Sequence, residues 1–371
     1  MTAARLMLED YVGRMSALTR EASERGIAAV VIAPSPDMVY LMGYDPMQME
    51  RPTLLILGHG REPLLVVPEL ERPLVSDAPA APALRIVGWR DGEDPYAITA
   101  ASLTDAERVA IADRTWATHV LALQHEMPDT RFEPASPLIG RLRAVKSPDE
   151  LAALRRAARG ADEAFRQICT MKFQGRREEE VAADLADLLV QNGHARAEFT
   201  IVASGPNAAS PHHEPTGRTI LPRDAVVMDF GGELGGYYSD TTRTVVVGEA
   251  PQGFERVYET VRQAQEAACA AVRPGAACQD VDRAARRIIE DAGFGERFIH
   301  RTGHGIGLEV HEPPYIIDGN EWVLEPGTTF SVEPGIYLEG SFGVRIEDIV
   351  AVTDEGVERL NRSTRTLQVV E

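Results

Sequence analysis

Apolar positions recur at helical spacing over residues 11–25, and Gly26 follows as a helix stop. The period then shortens. Residues 28–32 read as a buried strand closed by Pro34-Ser35-Pro36, and 53–57 and 64–67 read as two more, turned at Gly58-His59-Gly60. Residues 84–87 and 109–112 add strands on either side of a helix beginning near Pro95. Strands alternating with helices predict a small α/β domain over residues 1–145.

Residues 138–145 read as a short helix or strand, and the pattern changes after them. Ser147 as N-cap, Pro148 in the first turn and Glu150 beside the helix N-terminus mark a new start. A second domain over residues 146–371 opens with helices to about 171 and over 177–192, the latter stopped by Gly193. It then turns β-rich, with strands expected at 198–203, 225–230, 237–247, 328–333 and 343–352 and helices at 252–272 and 279–291. That order predicts an α+β domain whose sheet is assembled from distant segments, with no fixed-period repeat.

The length of 371 residues agrees with two domains, because single cores stop growing at roughly 250–300 residues. A formal charge of −19 makes nucleic acid and anionic membranes poor partners. Cys169, Cys269 and Cys278 form no Cys-x-x-Cys pair and point to a reducing compartment. Residues 1–13 hold no signal-like apolar core, and no stretch approaches about 18 apolar residues, so a soluble cytoplasmic protein is expected.

The chemistry concentrates in residues 302–314, which place His304 and His311 in a run with glycines at 303, 305 and 307. Glycine admits backbone conformations and close approaches that a Cβ forbids, while Pro313 and Pro314 are expected to stop any regular ladder. Alone, this stretch reads equally as a surface loop. Asp229 ends an apolar run before Gly231-Gly232, and Asp240 lies on the return strand after Gly235-Gly236. Two acids across a hairpin can face one side, although a turn-capping Asp229 and a strand-edge Asp240 are the ordinary alternatives. Glu333 precedes Pro334-Gly335, and strand alternation puts Arg345 and Glu347 on one face, where a buried Arg–Glu pair is the plain reading.

Together Asp229, Asp240, His304, Glu333 and Glu347 offer oxygen ligands with one imidazole, which suits Mn²⁺, Co²⁺, Fe²⁺ or Zn²⁺. Four carboxylates match two divalent ions better than one.

In this order, and with the surrounding Thr-Gly-His304-Gly-Ile-Gly, His311-Glu-Pro-Pro, Glu333-Pro-Gly-Ile-Tyr and Val-Arg-Ile-Glu347-Asp, the set resembles the pita-bread metallopeptidases. The closest branch is the Xaa-Pro dipeptidases (prolidases) and aminopeptidases P. The resemblance implies a creatinase-like N-terminal domain, a pita-bread catalytic domain and a homodimer. It implies that Asp229 binds one metal, Asp240 and Glu347 bridge both, and His304 and Glu333 bind the second, with Mn²⁺ the first choice of ion. His212, in Ser-Pro-His-His, resembles a further active-site histidine, with the adjacent His213 as the competing register. Glu333 is the implied proton shuttle, His212 and His311 the oxyanion or proline-side contacts, and Arg345 a holder of Glu347 or of the substrate carboxylate.

The substrate expected is a proline-containing di- or oligopeptide, an Xaa-Pro dipeptide first. An aminopeptidase P acting on longer peptides and an amide hydrolase on a small non-peptide substrate are the alternatives. A dipeptidase must also hold the free carboxylate after proline. Arg51, reaching from a partner subunit, is either that clamp or an ordinary surface arginine.

Overall fold

In the computed structural model, which describes residues 7–371, the chain divides into two compact units between Arg143 and Ala144. Of the stretch 1–13 discussed above, positions 1–6 lie outside the described residues. Helix α1 (Leu8–Glu24) buries Tyr11, Met15, Leu18 and Ala22, one face at helical spacing, and feeds β1 (Ala29–Ile32). The Pro-Ser-Pro that was expected only to close this strand starts α2 (Pro36–Met42), because proline at the first helical position is pre-set for the turn.

There follow β2 (Leu54–Leu57), β3 (Leu64–Pro68), α3 (Arg72–Ser76), β4 (Arg85–Trp89), α4 (Pro95–Ser102), β5 (Arg108–Ile111), α5 (Ala117–Glu126), β6 (Arg131–Pro134) and α6 (Ser136–Ala144). The sheet runs β4-β3-β2-β1-β5-β6, with β1 antiparallel to β2 and parallel to β5. Every residue of β1, β2 and β3 is buried, which is why these strands read as continuous apolar runs without alternation. Arg51 is held within this unit by Asp91, Nε to Oδ1 at 3.0 Å.

In the second unit α7 (Pro148–Ile168) opens on a reciprocal capping box between Ser147 and Glu150. Next come α8 (Glu178–Gln191), β7 (Arg196–Ser204), β8 (Ala225–Leu234), β9 (Tyr237–Tyr238), β10 (Thr241–Val247), α9 (Phe254–Ala271) and α10 (Cys278–Asp291). The chain ends with β11 (Gly303–Gly305), β12 (Glu312–Ile316), β13 (Thr329–Val332), β14 (Gly335–Leu338), β15 (Phe342–Arg345), β16 (Asp348–Thr353), β17 (Gly356–Arg359) and β18 (Gln368–Val370).

Two five-stranded sheets result. One is ordered β18-β10-β8-β7 with β9 on β8, the other β12-β11-β13-β16-β17, and β14 and β15 form a separate hairpin. Helices α7 and α8 bury Phe165, Leu185 and Leu189 with Met228 and Phe230 of the first sheet. Helices α9 and α10 do the same with Phe330 and Val332 of the second.

The expected strand 237–247 is interrupted, since β9 ends at Tyr238 and β10 begins at Thr241, so Asp240 precedes the return strand instead of lying on it. Two further local expectations fail. Residues 343–352 are not one strand: β15 ends at Arg345, β16 begins at Asp348 in another sheet, and Ile346-Glu347 crosses between them. The double proline does not stop the ladder either, since β12 runs through it. The strand is an edge of its sheet, and its register against β11 shifts between His304 and Gly305, so residues lacking N–H are accommodated where pairing is already broken. Among the described residues, no helix is long and apolar enough to cross a membrane.

Candidate active site

Alternation along β8 turns Met228 and Phe230 into the core under α7 and α8, so Asp229 between them faces the other way. Asp229 lies opposite Thr242 of β10, and Asp240 immediately precedes that strand. Glu347 sits in the crossover between sheets. Its backbone N–H donates to the Thr242 carbonyl at 3.1 Å, and the buried Arg243 donates to the Glu347 carbonyl and ion-pairs with Asp348 at 2.6 Å.

His304 is the central residue of β11, flanked by glycines for a steric reason. A Cβ at Gly303 would overlap the Ser331 carbonyl, and one at Gly305 the Pro313 carbonyl. Glu333 follows β13, its N–H donating to the Thr302 carbonyl at 2.8 Å.

These five side chains converge. Oxygens of Asp240 and Glu347 and a ring nitrogen of His304 all lie within 4.8 Å of one another. His304 Nε2 is 3.6 Å from Asp240 Oδ2 and 3.2 Å from Glu333 Oε1, which also accepts from Ser331 Oγ at 3.1 Å. Thr242 Oγ1 donates to Glu347 Oε2 at 2.7 Å. Arg345 reaches Asp229, not Glu347: its Nη2 lies 2.7 Å from Asp229 Oδ2, while Nη1 donates to Tyr337 Oη at 2.8 Å and Nε to Thr242 Oγ1 at 3.1 Å.

Asp229 Oδ1 and Glu347 Oε1 are buried with no hydrogen-bond partner. A buried carboxylate oxygen with nothing opposite it is costly. Burial, then mutual repulsion among the carboxylates, pushes Asp240 and Glu347 well above the usual carboxylate range. Burial also raises Asp229, against the pull of Arg345. Burial opposes ionisation of Glu333 as well, but the hydrogen bond and charge of His304 win there and hold it low. One arginine cannot balance four enclosed carboxyls, and hard divalent cations take this oxygen-rich donor set with a single imidazole. The residues present fit such ions.

The donors line one cavity of about 650 Å³. His212 lines it, whereas His213 Nε2 lies 3.6 Å from Glu178. Glu178 is fully buried and accepts from Ser204, Asn207 and Thr216, pinning the segment that carries His212. His311 is exposed at the rim with its ring 4.1 Å from that of His304. The protein atoms packed about it, then His304 and Arg301, lower its imidazole to about 4.

His300 also lines the cavity and was not singled out from sequence. Its Nδ1 is 2.7 Å from the Arg301 carbonyl and its Nε2 2.8 Å from Tyr337 Oη. Arg345 can only donate to that hydroxyl, so Tyr337 donates onward to His300 Nε2. His300 lies four residues before His304, the spacing that is its only signal in the sequence.

Residues 152–354 match metallopeptidase family M24, and residues 14–145 match the Creatinase/Prolidase N-terminal domain. The chain is 41% identical to a probable dipeptidase PepE of Mycobacterium tuberculosis, over 100% of this chain and 99% of that protein. It is 37% identical to an Xaa-Pro dipeptidase of Lactobacillus delbrueckii subsp. lactis, covering 94% and 96% of the two chains. The crystal structure of dipeptidase PepE from Mycobacterium ulcerans superposes with a TM-score of 0.96 at 40% identity, covering 99% of this chain and 100% of that one.

Proposed function

This chain belongs to metallopeptidase family M24, and on that premise we propose that it hydrolyses the Xaa-Pro bond of dipeptides. The observation that carries the reading is the enclosed set Asp229, Asp240, His304, Glu333 and Glu347, with carboxylate oxygens aimed at one another and two of them lacking any partner. Those five would hold two divalent ions, Mn²⁺ first. When bound, such a pair supplies Lewis acidity and lowers the pKa of a coordinated water to about 7.

The chain's own groups do the rest. Glu333 takes the proton of the attacking water and returns it to the leaving proline nitrogen. His212 and His311, both in the cavity wall, donate to the oxygen of the attacked carbonyl. Arg345 neutralises Asp229 on one side, and its contact to Tyr337 extends the chain of hydrogen bonds to His300. The creatinase-like domain to residue 145, a homodimer and a cytoplasmic setting belong to the same reading. The family resemblance supports all three, and the free thiols of Cys169, Cys269 and Cys278 support the last.

Metal-loaded protein should cleave Ala-Pro faster than Ala-Pro-Ala and Ala-Ala. Chelation should abolish turnover, and Mn²⁺ should restore it. Turnover that persists after the metal is stripped would overturn the reading.

A further inference from the structure

The dipeptidase reading leaves one requirement unmet: something must bind the free carboxylate beyond the proline. Arg345 is the cation nearest the acids, but all three faces of its guanidinium are engaged by Asp229, Tyr337 and Thr242. Arg301 lines the same cavity. Its backbone carbonyl is fixed by His300 at 2.7 Å, and its guanidinium stacks on the Tyr315 ring, 4.4 Å from the centroid. Among the described residues its side chain has no carboxylate partner.

Stacking an arginine on an aromatic face restrains the side chain and leaves its planar fork of N–H donors open at the edge, the geometry that matches a carboxylate. Arg301 and Arg345 are the two arginines of the cavity wall, and beyond its histidines and acids the wall offers Phe199, Ile201, Val310 and Ile317, which suit an apolar ring but not a charge.

We propose that Arg301, oriented by Tyr315, binds the C-terminal carboxylate of the dipeptide and so sets the preference for dipeptides over longer chains. The inference rests on the dipeptidase reading and assigns a binding role, not a catalytic one. Charge-assisted hydrogen bonds of this kind contribute about 1.5–3 kcal/mol, on the order of 10–150-fold.

The test compares metal-loaded wild type, Arg301→Met, Arg301→Lys and Tyr315→Leu on Ala-Pro and on its C-terminal amide, with bound metal measured for each. Wild type should favour Ala-Pro in kcat/KM by on the order of 10–100-fold. Arg301→Met should bring that ratio close to one through a raised KM for Ala-Pro, with metal content unchanged. Arg301→Lys and Tyr315→Leu should fall between. An unaltered ratio in Arg301→Met would overturn the proposal, and so would equal losses on both substrates.

Calorimetric binding of L-proline against L-prolinamide reads the same contact without turnover. Wild type should bind proline more tightly, and Arg301→Met should bind the two alike. Were wild type to cleave neither Xaa-Pro substrate, the dipeptidase reading would fail while this binding comparison still decided the role of Arg301.

Discussion

Asp240 and Glu347 are among the most enclosed carboxyls in the chain, 4% and 1% exposed, and each faces other acids. Without cations, burial and repulsion keep protons on them well above the ordinary carboxylate range. The sign of the linkage follows. Between about pH 4 and the raised folded-state values, the native protein binds more protons than the unfolded chain. The cation-free protein therefore loses stability as pH rises through that window. Divalent ions must displace the same protons, so metal binding should release protons and tighten with rising pH. Calorimetry in buffers of different ionisation enthalpy measures the release, and metal uptake without it would show the acids already ionised.

His311 packs its ring against that of His304 but is itself exposed at the rim and is not among the clustered ligand atoms. His311→Ala is therefore expected to keep its bound metal while kcat falls by about 10²–10³, the usual loss of one oxyanion donor. Asp229 closes an apolar run and His304 sits between glycines, whereas Asp240, Glu333 and Glu347 stand out mainly through their order along the chain and its resemblance to the pita-bread metallopeptidases. His300, Tyr337 and Arg301 were not legible in these ways. They are defined by what they touch, and no period or spacing encodes a hydrogen bond between residues 300 and 337.

Among the elements, the long helices were readable from caps and amphipathic spacing, with Ser147 and Glu150 starting α7 as expected, whereas the short α2, α3 and α5 were not. The strands that carry the site were harder, because tertiary pairing decides them. Edge position and a register shift admit Pro313-Pro314 into β12, and the crossover at Ile346-Glu347 is invisible to an alternation that continues across it. What fixes β12 is equally non-local. Lys146, just before α7, ion-pairs with Glu312 at 2.7 Å, both almost fully buried and 166 positions apart. Glu312 is the residue after His311, so this pair sets the path of the histidine-bearing segment. Lys146→Met removes the cation from a buried carboxylate and should cost about 3–5 kcal/mol in denaturant unfolding. Adding Glu312→Gln should recover part of the loss. A cost near that of an exposed pair would mean the segment is held by other contacts.

At the scale of the whole molecule, the two units have separate apolar cores. One is built on β1, β2, β3 and β5, and the others lie under α7–α8 and α9–α10. All five candidate metal donors belong to the unit beginning at Ala144. Ions that bind only the folded state stabilise the cooperative unit that holds them, by about 2.7 kcal/mol at a hundred times Kd. Scanning calorimetry of metal-loaded and chelated protein should therefore resolve two transitions, of which chelation lowers one. Asp240→Asn should reproduce that shift in the absence of chelator and leave the other transition in place. If both transitions move together, or only one is seen, the units unfold as a single cooperative body. Stability gained at the acid cluster is then shared across the whole chain.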